Sequence, residues 1–216
     1  CRCAEVIRTP LHRTVRTLIT ACCLVGVAAC GDRGPSLAER AAAARAAQEA
    51  ADEAARQQAR AEREAGRLAA AWRYQQATVG GGSQLTAAIY ATADVDVDGT
   101  GAHSVQLIFR DHQKWGRSAY LVLQRGDFAC RPRCTVGVSV DDGAPRRLEA
   151  WRPETDEAIA MFIRDTAAFW RLTGDAQRVS ITFPVTAGGT RTASFEVSGL
   201  DESKMPGWSS PPAAVR

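Results

Sequence analysis

Aromatic residues and histidines are scarce: 6% Phe, Trp and Tyr, and three His in 216 residues. So few large rings argue against a very large core. His103 and His112, the two histidines beyond residue 30, belong to no motif that ties them to a nucleophile. No G-x-S-x-G elbow, phosphate-binding loop or H-E-x-x-H pair occurs, so the usual marks of serine-hydrolase, nucleotide and zinc-protease chemistry are missing. No motif calls for a cofactor. A hydrolase built on two carboxylates stays open, because its acids can come from anywhere in the chain. Charge of one sign is also lacking. The formal net charge of +3 lies entirely in residues 1–29, and residues 30–216 carry 23 basic and 23 acidic side chains. A neutral body has no electrostatic footprint for nucleic acid.

Long apolar runs are missing too. Arg13 and Arg16 precede an apolar stretch from Leu18 to Ala29. Twelve helical residues span roughly 18 Å, well short of a ~30 Å hydrocarbon core. The stretch fits a secretory signal peptide over 1–29, with charged residues first, an apolar middle and small residues at the end. Val27-Ala28-Ala29-Cys30 looks like a bacterial lipobox, in which the peptide is cut before Cys30 and its thiol takes a diacylglycerol. The expectation is a lipid-anchored protein of the bacterial envelope, facing the periplasm and sorted to the outer membrane. Residues 1–14 read as upstream sequence, with Val15 as the translated start.

This address also sorts the cysteines. Cleavage removes Cys1, Cys3, Cys22 and Cys23, and Cys30 becomes the anchor. Cys130 and Cys134 are left together in an oxidising compartment. Their C-x-x-x-C spacing between strand-like segments predicts a disulfide across a tight hairpin, fixing strand register. So short a loop removes little unfolded-state entropy, so the expected stabilisation lies below the usual ~2–4 kcal/mol. A redox role would need a thioredoxin-like context or a histidine partner, and a zinc site would need four ligands.

Residues 30–36 form the lipidated Cys and a short linker. Ser36-Leu-Ala-Glu39 then reads as a capping box. From Leu37 to Ala77, 18 of 41 residues are Ala and most others are Arg, Glu or Gln, which predicts one long helix. No apolar a/d seam runs along it, so the expectation is a solvated stalk; an Ala-lined oligomer is the alternative. Residues 78–83, Thr-Val-Gly-Gly-Gly-Ser, predict a flexible joint.

From Gln84 the apolar pattern changes to period two. It predicts strands over 85–97, 103–110, 118–125, 134–141, 146–151, 177–185 and 191–198. Between 155 and 172, Ile159, Phe162, Ile163, Thr166 and Trp170 share one helical face and Gly174 stands ready to end the helix. The fold class is therefore α+β: an antiparallel sheet or sandwich over 84–202 with one amphipathic helix, preceded by a long Ala-rich helix. Residues 203–216 carry three Pro and read as a disordered tail.

Several segments of this domain have a familiar order: Leu107-Ile-Phe-Arg110, Gly126-Asp-Phe-Ala-Cys130, Cys134-Thr-Val-Gly-Val-Ser-Val-Asp141 and Phe195-Glu-Val-Ser-Gly-Leu200. Over about residues 85–201 the chain resembles a group of bacterial envelope proteins, many of them lipoproteins. Their pattern runs L-x-L/I-R, G-Q-F-x-C, C-x-V-x-V-x-F-D and F-x-V-x-G-L. More distantly it is similar to accessory lipoproteins of type VI secretion. Asp127 stands where that pattern has Gln, and Val140 where it has Phe. The resemblance carries no catalytic residue over.

Two further stretches bear on binding. Asp94, Asp96 and Asp98 before Gly99 match the opening of a calcium loop, but Val105 stands where a bidentate Glu is needed. A strand ending in an Asp-Gly turn fits better, with a weak calcium site as the alternative. The stretch 110–117 puts Trp115 among Arg110, His112, Lys114 and Arg117. Trp and Arg are enriched at binding hot spots, so these five are the candidate contact residues; the favoured alternative is a Trp folded back to cap the sandwich edge among solvated charges, and Trp151 and Trp170 are expected in the core. The reading that follows is a membrane-anchored, noncatalytic module with a protein partner in the envelope, as an assembly accessory or an inhibitor or immunity-type protein. The alternatives are a structural stalk that oligomerises or touches peptidoglycan, and a cell-wall hydrolase.

Overall fold

The computed structural model describes residues 34–154 and 159–209. The signal segment, Cys30 and the tail beyond 209 lie outside the described residues. The chain forms two units, 1–49 and 50–216. In the first, the described residues enter helix α1 (Leu37–Ala71) through the expected capping box. The Glu39 carboxylate accepts the Ser36 N–H at 2.6 Å, and Ser36 Oγ accepts the Glu39 N–H at 3.2 Å. The Ser36 amide and then its hydroxyl hold the Glu39 carboxyl below its ordinary range. No residue of α1 is buried; intrinsic propensity and local pairs such as Arg67–Glu64, at 2.7 Å, sustain most of its length, and near its end Arg67 also reaches Glu196 at 2.9 Å.

In the second unit α1 stops at Ala71 rather than Ala77, and the physical reason is the next residue. Trp72 is buried and its indole N–H donates to the Val197 carbonyl at 3.2 Å. The residues that follow enter β1 (Arg73–Val79), paired along its whole length with β2 (Gly82–Tyr90). The expected flexible joint at 78–83 is thus the tip of a hairpin. Gly80 and Gly81 both have positive φ, +54° and +72°, as a two-residue turn with right-handed strand twist requires.

The remaining strands are β3 (Val95–Asp96), β4 (Ala102–His103), β5 (Val105–His112), β6 (Gly116–Leu123), β7 (Cys134–Val140), β8 (Arg146–Trp151), β9 (Ile159–Ile163), β10 (Arg178–Pro184) and β11 (Thr190–Glu196). Nine of the eleven form one antiparallel sheet in the order β1-β2-β5-β6-β9-β8-β7-β10-β11, and β3 with β4 makes a small ribbon. The expected strand 85–97 is therefore two strands with a bend between them. At that bend the Thr92 N–H donates to the Ser194 carbonyl at 2.8 Å. The sheet is rolled, so that the chain leaving β2 reaches β11 at the opposite end of the strand order.

One face of this sheet forms the core. Val105, Leu107 and Phe109 of β5, Val136 and Val138 of β7, and Val179, Ile181 and Phe183 of β10 alternate inward, the period-two pattern of a half-buried strand. Phe109 is the hub: its ring lies 6.2 Å from Trp72, 5.5 Å from Phe169, 4.9 Å from Trp170 and 5.3 Å from Trp208. Phe169 and Trp170 come from helix α2 (Thr166–Gly174), capped by Asp165, whose carboxylate accepts the Ala168 N–H at 2.9 Å.

The single helix expected over 155–172 is thus β9 followed by α2, with 155–158 outside the described residues. Ile159, Phe162 and Ile163 fit a helical face by spacing, yet pairing with β6 and β8 makes them a strand. Residues 203–209 of the expected disordered tail are likewise ordered. A 3₁₀ turn (Glu202–Lys204) and α3 (Pro206–Ser209) bury Met205 and Trp208 in the core, and that apolar burial offsets the ordering cost. Among the described residues no helix is long and apolar enough to cross a membrane.

Candidate functional site

The stretch 110–117 is the β5–β6 hairpin, and the structure divides its residues into two sets. His112 is buried. Its Nδ1 accepts the Lys114 and Trp115 N–H groups, each at 3.1 Å, so the ring proton sits on Nε2 and is donated to the Val79 carbonyl at 2.9 Å. Lys114 Nζ donates to the Gly80 carbonyl at 3.1 Å. His112 and Lys114, two of the expected contact residues, are therefore a clamp that fastens this hairpin to the β1–β2 turn. Both ring nitrogens of the buried His112 are used in this way, while Lys114 stays exposed with its ammonium donating to Gly80.

Trp115 stacks on His112, ring centroids 3.8 Å apart, and still exposes 54% of its surface. From it a row of side chains runs over the outer face of the sheet. Arg110 spreads its guanidinium over three rings, 5.5 Å from Trp115, 5.6 Å from Tyr120 and 5.8 Å from Phe162, at distances where a cation is attracted to the ring face. Its Nε donates to Ser118 Oγ at 2.9 Å. Ladder pairing explains the row: Tyr120 of β6 lies opposite Phe162 of β9, and Phe162 opposite Trp151 of β8. Their rings are 4.7 and 5.2 Å apart.

Arg110, Trp115, Ser118, Phe162 and Trp151 line a groove of about 840 Å³ together with Arg117, Arg164, Pro153 and Thr166. Arg117 donates to the Gly207 carbonyl at 3.1 Å and lies 5.9 Å from the Trp208 ring. Of the five expected contact residues, Arg110, Trp115 and Arg117 share this groove. Trp151, expected in the core, is 38% exposed and forms its far wall, whereas Trp170 is buried as expected. Sequence reasoning missed Trp151, Phe162 and Arg164, because their place depends on β9 lying between β6 and β8. Burial pushes the Tyr120 phenol above its ordinary range, with the Arg110 charge opposing.

Cys130 and Cys134 are bonded, with their Cα atoms 4.7 Å apart. The bridge ties off the loop before β7, since Cys130 lies in that loop and only Cys134 belongs to a strand; it does not cross a hairpin. The same loop is held by Asp127, whose carboxylate pairs with the buried Arg152. The Arg152 N–H also donates to the Cys130 carbonyl at 3.0 Å. Asp127 thus has a charge partner that a Gln could not neutralise.

The three acids of the calcium alternative do not converge. Asp96 Oδ1 accepts the Gly99 N–H at 2.7 Å, and Asp98 Oδ1 accepts the Thr100 hydroxyl at 2.6 Å and its N–H at 3.0 Å. These bonds, the hydroxyl foremost, lower the Asp98 carboxyl. They build the turn between β3 and β4, the strand-and-turn arrangement expected as the better fit. Among the described residues no three His, Cys, Asp or Glu side chains gather as metal ligands would.

No protein-family model, curated protein or solved structure matches this chain.

Proposed function

We propose that the protein is a noncatalytic interaction module of the bacterial envelope, lipid-anchored at Cys30, that engages a protein partner through the groove beside the 110–117 hairpin. One observation carries the reading. Trp115 and Trp151, both large and rigid, stand exposed on the outer face of a well-packed sheet, linked by Arg110, Tyr120 and Phe162. Exposed rings grouped with arginine on a rigid scaffold are the composition of interface hot spots, and the core gains nothing from leaving them in water. The lipobox at Cys30 and the resemblance to envelope lipoproteins support the address. Several acyl chains, at ~0.8 kcal/mol per buried methylene, would hold the protein on its membrane.

The test is a pull-down from envelope extract with residues 31–216, disulfide intact, beside a Trp151→Ala variant. The expected result is one stoichiometric protein partner that the variant loses. Recovery of the same partner by the variant places the contact elsewhere.

A structural stalk is the second reading, favoured by an α1 of 35 residues with none buried. It predicts concentration-dependent association of the full chain in sedimentation. A single mass over a hundredfold concentration range rejects it.

A further inference from the structure

We infer that the occupant of this groove is an acidic segment of the partner carrying aromatic side chains among its carboxylates, an inference that rests on the interaction-module reading and names its partner's chemistry. The argument is one of donors and acceptors. Among the described residues, the charged side chains lining the groove are Arg110, Arg117 and Arg164, and no carboxylate lines it. Arg164 is partly neutralised by Glu149 at 3.3 Å. Arg110 is not: only its Nε is used, and among the described residues its two terminal nitrogens have no hydrogen-bond partner. Arg117 donates to a carbonyl, which satisfies a bond without cancelling charge. Asp111, its partner across the ladder, lies against Gly207.

Acceptors in the groove are few. Ser118 Oγ already takes the Arg110 Nε–H, and among the described residues the Thr166 hydroxyl is the other side-chain oxygen lining it. A sugar surface presents hydroxyls that both donate and accept, and half of that capacity would go unmet here. A carboxylate only accepts, and a guanidinium fork meets it with two parallel bonds. The rings of Trp115, Phe162 and Trp151 beside the cation then offer a platform for an aromatic or apolar side chain. Because residues 30–216 have equal numbers of acidic and basic residues, this complementarity is local to the groove and does not make the whole surface a polyanion binder.

The experiment uses the full chain in detergent, with its disulfide intact, and a fluorescent random copolymer of Glu and Tyr as probe. Copolymers of Lys and Tyr, poly-Glu, an acidic polyuronate and phosphatidylglycerol vesicles are the comparison arms. Expected are saturable binding of the Glu/Tyr probe, at least tenfold weaker binding of poly-Glu and none of the Lys/Tyr polymer. Raising salt from 50 to 500 mM should weaken the Glu/Tyr complex at least tenfold. Arg110→Gln and Trp151→Ala should each lower affinity about tenfold, Arg110→Lys less, and Arg146→Gln on β8 not at all.

No saturable Glu/Tyr binding overturns the inference, as does binding that Arg110→Gln leaves unchanged. Preference for the polyuronate or the vesicles assigns the groove to a glycan or a headgroup and overturns it too. A partner pulled down through Trp151 but indifferent to Arg110→Gln and to salt would overturn the acidic chemistry while leaving the interaction-module reading standing.

Discussion

At the scale of single residues, the outer face and the core use the same side-chain types for opposite ends. Tyr120 is held between Arg110 and Phe162, and burial raises its phenol above the ordinary value near 10. The folded protein therefore keeps this proton at pH values where the unfolded chain has lost it. Between those two values the native state binds more protons, so stability must fall as pH rises. The contribution is whole below about pH 10 and is lost as pH climbs through the raised value. Tyr74 shifts in the same direction, again through burial first. Urea midpoints measured from pH 8 to 11 should decline for the parent and decline less steeply for Tyr120→Phe. Parallel declines would mean that Tyr120 ionises as it does in water.

Among the elements, the β1–β2 turn and the β5–β6 hairpin form one fastened unit. A Cβ on Gly80 would lie 2.6 Å from Trp115 Cζ2, whereas one on Gly99 would meet nothing within 4 Å. Both glycines have positive φ, +54° and +81°, and alanine at either would carry the left-handed penalty of ~1–2 kcal/mol. Only Gly80→Ala must also displace Trp115. It should cost more than Gly99→Ala in thermal unfolding and shift the Trp emission, while Gly99→Ala should leave emission unchanged. Equal costs and equal spectra would show that the turn does not rest on the indole.

A similar close approach joins α1 to the sheet. The backbone of Leu68 would lie 2.3 Å from a Cβ on Gly199, so only glycine lets the last turns of α1 reach the chain after β11. The capping box, the Ala-rich composition and the Asp-Gly turn were all legible in the sequence, because each is a local device. The end of α1 was not. Gln75, Gln76 and Ala77 favour helix as well as Leu37–Ala71 do, and the burial of Trp72 together with pairing to β2 overrides that preference.

Over the sheet domain as a whole, two kinds of tie differ in how much they hold. Phe109 touches four other rings from three places in the chain, joining β5 to α1's end, α2 and α3. Phe109→Ala leaves a cavity where these meet and should cost about 3–5 kcal/mol in denaturant unfolding. The Cys130–Cys134 bridge closes a loop of sequence separation 4, and removing it should cost about 2 kcal/mol or less. A double Cys→Ser variant that unfolds more readily than Phe109→Ala would reverse that order.

By itself the sequence determined the α+β class, most of the strands, the partnership of Cys130 with Cys134, the stop at Gly174 and the interest of Trp115 beside Arg110. Each rests on nearest neighbours in the chain or on a period that pairing then respects. Tertiary structure decided what spacing leaves degenerate. Ile159–Ile163 satisfies both helical and strand periods, and β6 and β8 on either side made it a strand. That choice turned Phe162 outward beside Tyr120 and Trp151, and so created the groove. It also decided that His112 would be a buried clamp and Trp151 an exposed wall. Which face of a strand meets water depends on its register with strands far away in sequence, and no local pattern encodes that.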